Sequence, residues 1–372
     1  MRRELAVAVA VAAMVFVSGV QQAGWGAEAG AKKKTGARVG RKKAGGEAGQ
    51  KAAGALPAMG AVDTVMGEYE GTFTPAKGEA VPAEAKVIAE FVRAGGEARK
   101  NYRAILSSKP KEPSQAVSLV TTSTLSEAVL PLTRQINGVE WAGNLASETL
   151  TLEGKGENGG KWELRRVVRH SPTEGEKPPA GAVVLLPYEP GKPTNLDAWR
   201  NKNWKLLPDG SMEAFRGNNL TDREFGSCKL HVEFLLPYQP EARDQGRGNS
   251  GVYMQDRYET QVLDSFGLPP KNNECGGIYE VSDPKVNACY PPLQWQTYDI
   301  TFTAPKLSPD GTVLEFAKLT VVQNGVEIQK DVPVKGPTRA AGGKGVVAKG
   351  PLTVQDHGCP VRYRNIWLVE EK

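Results

Sequence analysis

Residues of the kinds that usually hold metals are few in this chain: three histidines and four cysteines in 372 residues. No two cysteines stand at C-x₂-C spacing, which disfavours structural zinc and leaves disulfides in an oxidising compartment. Cys275 and Cys289 flank one loop and are expected to bond. Cys228 and Cys359 lie in separate strand-like runs, as a second bridge or as two buried thiols. Long hydrophobic runs are missing after residues 5–20, and that one is short for a bilayer span. Arg2 and Arg3 precede it and Ala27-Glu28-Ala29 follows, so residues 1–29 read as a signal peptide cut near Ala29. No cysteine stands there to carry a lipid. The mature protein is therefore expected in the periplasm or outside the cell, without a transmembrane helix.

Charge of one sign is also missing from the body of the chain. The formal net charge is +5. Residues 30–61, a Lys/Ala/Gly-rich stretch, hold Lys32, Lys33, Lys34, Arg38, Arg41, Lys42, Lys43 and Lys51, which is more than that whole excess. The remainder is near neutral, with no electrostatic footprint for nucleic acid. The stretch itself has too little apolar surface to offset its ordering entropy and reads as a disordered linker.

Glycine (42) and proline (26) are plentiful, set among short runs rich in Val, Thr and Tyr. That pattern predicts an all-β protein. Residues 62–170 read as a small antiparallel β module with strands near 69–74, 85–91, 102–107, 116–122, 149–152 and 161–168. A short helix is expected near 90–100. Residues 171–181 form a Pro/Gly/Glu-rich linker. From 182 to 372 come many short strands with hairpin dipeptides at Asp209-Gly210 and Asn324-Gly325, which fits a two-sheet jelly roll.

Alternation assigns faces. Leu230, Val232 and Phe234 share one side of a strand, with His231 and Glu233 on the other. Glu259 and Gln261 face away from Val262, and Gln355 and His357 share a side. Neighbouring strands would set these six in one polar groove walled by Tyr253, Gln255, Trp295 and Arg362. Each also has a plain reading, as a solvated strand face or a satisfied histidine.

Several motifs resemble one family. They are Asn249-Ser250-Gly251-Val252-Tyr253, the run from Tyr258 through Asp264 to Ser265, Cys275-Gly276-Gly277-Ile278-Tyr279, Trp295-Gln296-Thr297-Tyr298-Asp299-Ile300, Gln355-Asp356-His357-Gly358, and Pro360-Val361-Arg362-Tyr363-Arg364-Asn365. Residues 182–372 resemble the bacterial 3-keto-disaccharide hydrolase domain. The resemblance implies a concanavalin A-like jelly-roll sandwich in an exported protein, with a sugar or modified disaccharide as substrate.

Laminarinase-type enzymes of that architecture carry E-x-D-x-E or E-x-D-x-x-E on the catalytic strand. Here Glu259, Gln261 and Asp264 make E-x-Q-x-x-D, and Asp264 reaches the groove only if a bulge re-aims it. Retaining hydrolysis with two close carboxyls is poorly served. A 3-keto sugar needs less: a base for the acidified C2 proton, a stabiliser for the enolate, and an acid for the leaving oxygen. Glu259 is the expected base, His357 the acid or stabiliser, and Glu233 its support. Asn249, Tyr253, Gln255, Gln261, Asp264, Trp295, Gln355 and Arg362 are expected to bind substrate. A divalent metal is the one cofactor suggested, with His231 as a ligand, though no spacing selects the ion. The competing reading is a glycan-binding module without catalysis, and a conventional β-glucanase is disfavoured by Gln261.

Overall fold

The structure is a computed structural model that describes residues 63–371, except 95–96, 112–116, 125–129 and 137. The expected signal peptide and linker lie outside the described residues. No helix among the described residues is long and apolar enough to cross a membrane.

The first eight strands are β1 (Gly67–Pro75), β2 (Val81–Ala94), β3 (Glu97–Ser108), β4 (Ser118–Thr124), β5 (Leu130–Ile136), β6 (Val139–Leu145), β7 (Thr149–Gly154) and β8 (Gly160–Val167). They form one antiparallel sheet, ordered β4-β3-β2-β1-β8-β7-β6-β5, which curls until its edge strands approach each other. Ala83, Ala85, Val87 and Ala89 alternate into its core with Tyr69, Phe73, Tyr102, Trp141 and Trp162. Strand pairing replaces the helix expected near 90–100; β2 and β3 pair from Ala83↔Ser108 to Ala94↔Glu97. Strands β5 and β6 were not anticipated from the sequence.

The second group comprises β9 (Val183–Leu186), β10 (Lys205–Leu206), β11 (Met212–Glu213), β12 (Asn219–Phe225), β13 (Cys228–Leu235), β14 (Ser250–Met254), β15 (Tyr258–Val262), β16 (Trp295–Thr303), β17 (Lys306–Leu307), β18 (Val313–Glu315), β19 (Ala317–Gln323), β20 (Val326–Val334), β21 (Gly350–Val354) and β22 (Arg362–Glu370). A large sheet runs β10-β11-β22-β13-β16-β19-β20, with β9 also on β22, and a small one runs β12-β21-β14-β15. Leu230, Val232, Phe234, Tyr298 and Ile300 of the large sheet meet Val252, Tyr258, Val262 and Val354 of the small one in a common core. Tyr258 and Phe302 touch across it with ring centroids 5.6 Å apart. The protein is all-β and this half is an antiparallel sandwich. Asn324 (φ 51°) and Gly325 (φ 80°) turn the β19–β20 hairpin as expected.

The curled sheet is tied to the sandwich by a buried cluster. Asp63 accepts hydrogen bonds from Tyr102 (2.8 Å) and Tyr238 (2.9 Å) and pairs with Lys100, whose ammonium lies over both rings. Burial opposes the charge on Asp63, but Lys100, the Met66 amide, Tyr102 and the Val65 amide hold its carboxyl below the usual range. Phe266, from the loop after β15, is buried in the curled sheet's cluster, and the Phe91 amide donates to Pro240 O (2.9 Å).

All four cysteines are free and buried, so the expected Cys275–Cys289 bridge is not formed. The two thiols lie side by side and hydrogen-bond to each other as well as to further groups. Cys275 Sγ lies 3.1 Å from Tyr298 OH and accepts from Gln323 Nε2, while Cys289 Sγ donates to Tyr290 O.

Candidate active site

Five of the six residues expected to share a groove are divided between the two outer faces of the sandwich, and the sixth, His357, is on neither. Alternation describes β13 and β15 as expected, but β21 ends at Val354, so it does not carry His357 onto the side of Gln355. However, β13 belongs to the large sheet and β14, β15 and β21 to the small one, with the core between them. His231 and Glu233 therefore point away from Glu259 and Gln261.

On the small sheet, Gly251, Tyr253, Glu259, Gln261 and Gln355 share the face opposite the core. Tyr253 is paired directly across from Glu259, and Gly251 across from Gln261. The loop after β15 runs beside that strand: Gln261 N donates to Gly277 O (2.9 Å) and Tyr279 N to Glu259 O (3.1 Å). Glu259 is 1% exposed, and its Oε2 is a buried acceptor without a partner among the described residues. Burial, reinforced by the charge of Glu280, pushes its carboxyl up to about 8 against the opposing hydrogen bond from Tyr253. Such a group changes protonation near neutral pH, as acid–base chemistry requires.

Glycine is required at 251. A Cβ there would stand 2.4 Å from Glu259 Oε1 and 2.7 Å from the Tyr253 ring. Gln355 Nε2 donates to Tyr253 OH at 2.8 Å. Gln261 Nε2 donates to Gln245 Oε1 (2.9 Å), and Asn249 Nδ2 to Gln245 O (2.7 Å), while Asn249 Oδ1 is a second orphaned acceptor. Gln245 itself escaped the sequence reading, because it comes from an irregular loop with a short 3₁₀ turn, Asp244–Gly246.

Other expected site residues have structural partners. Asp264 is buried against Arg247, with Oδ2 3.2 Å from Nε, and no bulge turns it toward Glu259. Gln255 sits in the β14–β15 turn at φ 55° and ties Phe225 O and Ala348 O. Arg362 pairs with Glu213 on the large sheet, and the Trp295 ring lies 3.9 Å from the Arg364 guanidinium there. His357 is exposed in the turn after β21 and joins neither cluster.

The large sheet's outer face carries a buried charge network. His231 Nδ1 lies 2.7 Å from Asp299 Oδ1 and Nε2 3.5 Å from Glu233 Oε1, with the ring stacked on Trp367. Glu233 also accepts from Arg364 Nε (2.6 Å), Asn365 Nδ2 (2.8 Å) and Gly175 N (2.6 Å). Burial disfavours both charges, yet these partners raise the His231 imidazole to about 9 and hold Glu233 below its usual range. Residues 171–176, expected as a plain linker, strap this face: Thr173 Oγ1 donates to Asp299 Oδ2 (2.8 Å), and Glu174 takes Arg364 Nη2 (2.8 Å). Asp299 could have been found as the register partner of His231, and Asn365 sits at φ 47° where the β13–β22 ladder bulges.

Glu176, His231 and Asp299 bring ligand-type atoms within 4.8 Å of one another. They do not fit a metal. Both imidazole nitrogens are already taken up by carboxylates, Nδ1 by Asp299 at 2.7 Å and Nε2 by Glu233 at 3.5 Å. One cavity, of about 50 Å³, is lined by Asp63, Arg166, Tyr238 and Gln294.

Residues 182–369 match the family model described as 3-keto-alpha-glucoside-1,2-lyase-like domain. The chain belongs to this family. Membership makes it a carbohydrate-active hydrolase at family level, and the curled sheet lies outside the match. Two crystal structures from Parabacteroides distasonis, both of candidate glycosyl hydrolases, are similar. One is 35% identical over 52% of this chain and 85% of that one (TM-score 0.47). The other is 16% identical over 48% and 90% (TM-score 0.37). No curated protein sequence matches.

Proposed function

We propose that this family member is an exported hydrolase that cleaves 3-keto-glycosides by elimination and hydration, with Glu259 as the base. The observation that carries this reading is a lone buried carboxylate, titrating at about 8, with one unpartnered oxygen. The position two residues on, where a glucanase-type strand would add a second carboxylate, is Gln261, held by Gln245. Two-carboxylate hydrolysis is disfavoured and single-base chemistry is suited.

The C3 ketone acidifies the C2 proton, and Glu259 Oε2 accepts it. The electron pair forms C1=C2, and the C1 substituent leaves with a proton from solvent. Water then adds across the double bond, its hydroxyl to C1 and a proton to C2. Glu259 is nearly inaccessible as it stands, so binding requires the chain beside β15 to move.

A panel of 3-keto and unmodified disaccharides tests the proposal. Turnover of the keto sugars alone supports it. Saturable binding without turnover makes the domain a lectin-like module instead. Export is tested separately by sequencing the mature N-terminus, expected near Ala29.

A further inference from the structure

Tyr253 and Gln355 were expected as contacts for substrate; their geometry gives them another task. The backbone N–H and C=O of Glu259 face Thr338 Oγ1 (3.3 Å) and the Tyr279 amide (3.1 Å), away from β14. Tyr253 and Glu259 are therefore a non-hydrogen-bonded cross-strand pair, the kind whose side chains stand closest. A phenolic hydroxyl has one proton and can also accept. Gln355 Nε2 can only donate, and at 2.8 Å it occupies an acceptor position of the Tyr253 oxygen. The Tyr253 proton is thereby turned to the carboxylate with which it hydrogen-bonds. Of the two carboxylate oxygens, Oε1 lies over Gly251 beside the Tyr253 ring, while Oε2 has no partner among the described residues. Gln355 is itself pinned at both ends of its peptide: its N–H donates to Gly251 O (2.9 Å), and its C=O accepts from Ser250 Oγ (2.5 Å).

We infer that Tyr253, oriented by Gln355, is a positioning residue that anchors Glu259 Oε1 over Gly251 and leaves Oε2 as the single oxygen available to a substrate proton. The inference rests on the reading of Glu259 as the base. It assigns Tyr253 no proton transfer of its own, and burial together with the neighbouring Glu259 charge suits it to none, since both push its hydroxyl far above the usual range. The other groups facing Glu259 come from the chain beside β15: Tyr279, and Glu280 with its partner Arg339 (2.7 Å).

The test titrates the Glu259 carboxyl in the full chain by isotope-edited infrared difference spectroscopy against Glu259→Gln, alongside the pH profile of kcat/KM on a 3-keto disaccharide. Losing a hydrogen bond to the charged form raises an acid's pKa. In Tyr253→Phe the midpoint should therefore climb from about 8 by about one pH unit or more. The acid limb of kcat/KM should follow, so that the deficit is roughly tenfold or more at pH 7 and narrows toward pH 10. Gln355→Leu should shift both in the same direction by less, and it carries the test where Tyr253→Phe fails to fold. An unmoved midpoint in the folded variants overturns the inference. A midpoint that moves while the acid limb stays put upholds the anchor and removes Glu259 from the mechanism, which is a failure of the functional reading alone.

Discussion

Glu233 and Glu259 are both buried carboxylates of one sandwich, and they titrate in opposite directions: Glu233 is held low and Glu259 is raised to about 8. Desolvation acts on both. Glu233 overcomes it with His231, Asn365 and Arg364, whereas Glu259 has one hydrogen bond from Tyr253 and a neighbouring acid, Glu280. The paired carboxylate is a permanent anion suited to holding a strap. The unpaired one retains a proton that can be exchanged near neutral pH.

Replacing Glu259 with Gln should lower kcat/KM on a keto-disaccharide by about 10²–10⁴-fold. The same variant should be more stable than the parent in alkali. An acid whose folded pKa is raised from 4.5 to about 8 costs nothing below 4.5 and an increasing amount between the two values. Denaturant midpoints should accordingly diverge in favour of the variant from pH 5 to 9, by up to a few kcal/mol. Full activity in the variant would falsify the base assignment.

Gly251→Ala adds one methyl where Glu259 Oε1 would be 2.4 Å away. Overpacking of this kind costs about 1–3 kcal/mol and displaces the carboxylate. Thermal melts should show a modest loss and kinetics a large fall in kcat. An alanine variant with parental kcat would mean that the position of Glu259 does not matter to turnover.

His231 gives the opposite pH signature. Its folded pKa is raised from 6.5 to about 9 by Asp299 and Glu233 despite burial. The stabilisation is complete below pH 6.5 and is lost as pH climbs through 9. Chemical denaturation between pH 6 and 10 should show that decline in the parent and a flatter profile in His231→Gln. Equal slopes would show that the imidazole is not charged in the fold.

Arg364 sits between the Tyr188 and Trp295 rings and bonds Glu233 and Glu174. Arg364→Met strips a buried carboxylate of its partner and should cost about 3–5 kcal/mol. If this face is structural, KM and kcat measured well below the melting temperature should stay within about twofold. A selective loss of turnover in a folded variant would move the chemistry to the large sheet.

The sequence by itself determined the all-β class, the Asn324-Gly325 turn, the family, and which residues of each strand share a side. These are local properties, set by a period of two and by positive-φ chemistry at the turns. Only the tertiary structure decided that His231 and Glu233 face away from Glu259, since side-chain alternation says nothing about which sheet a strand joins. It also decided that Cys275 and Cys289 stay as free thiols, that Asp264 is paired with Arg247, and that residues 171–176 strap a charge network. Most decisive is the carboxyl of Glu259. Its proton affinity is set by its burial and by Tyr253 and Glu280 beside it, which packing between distant segments brings together.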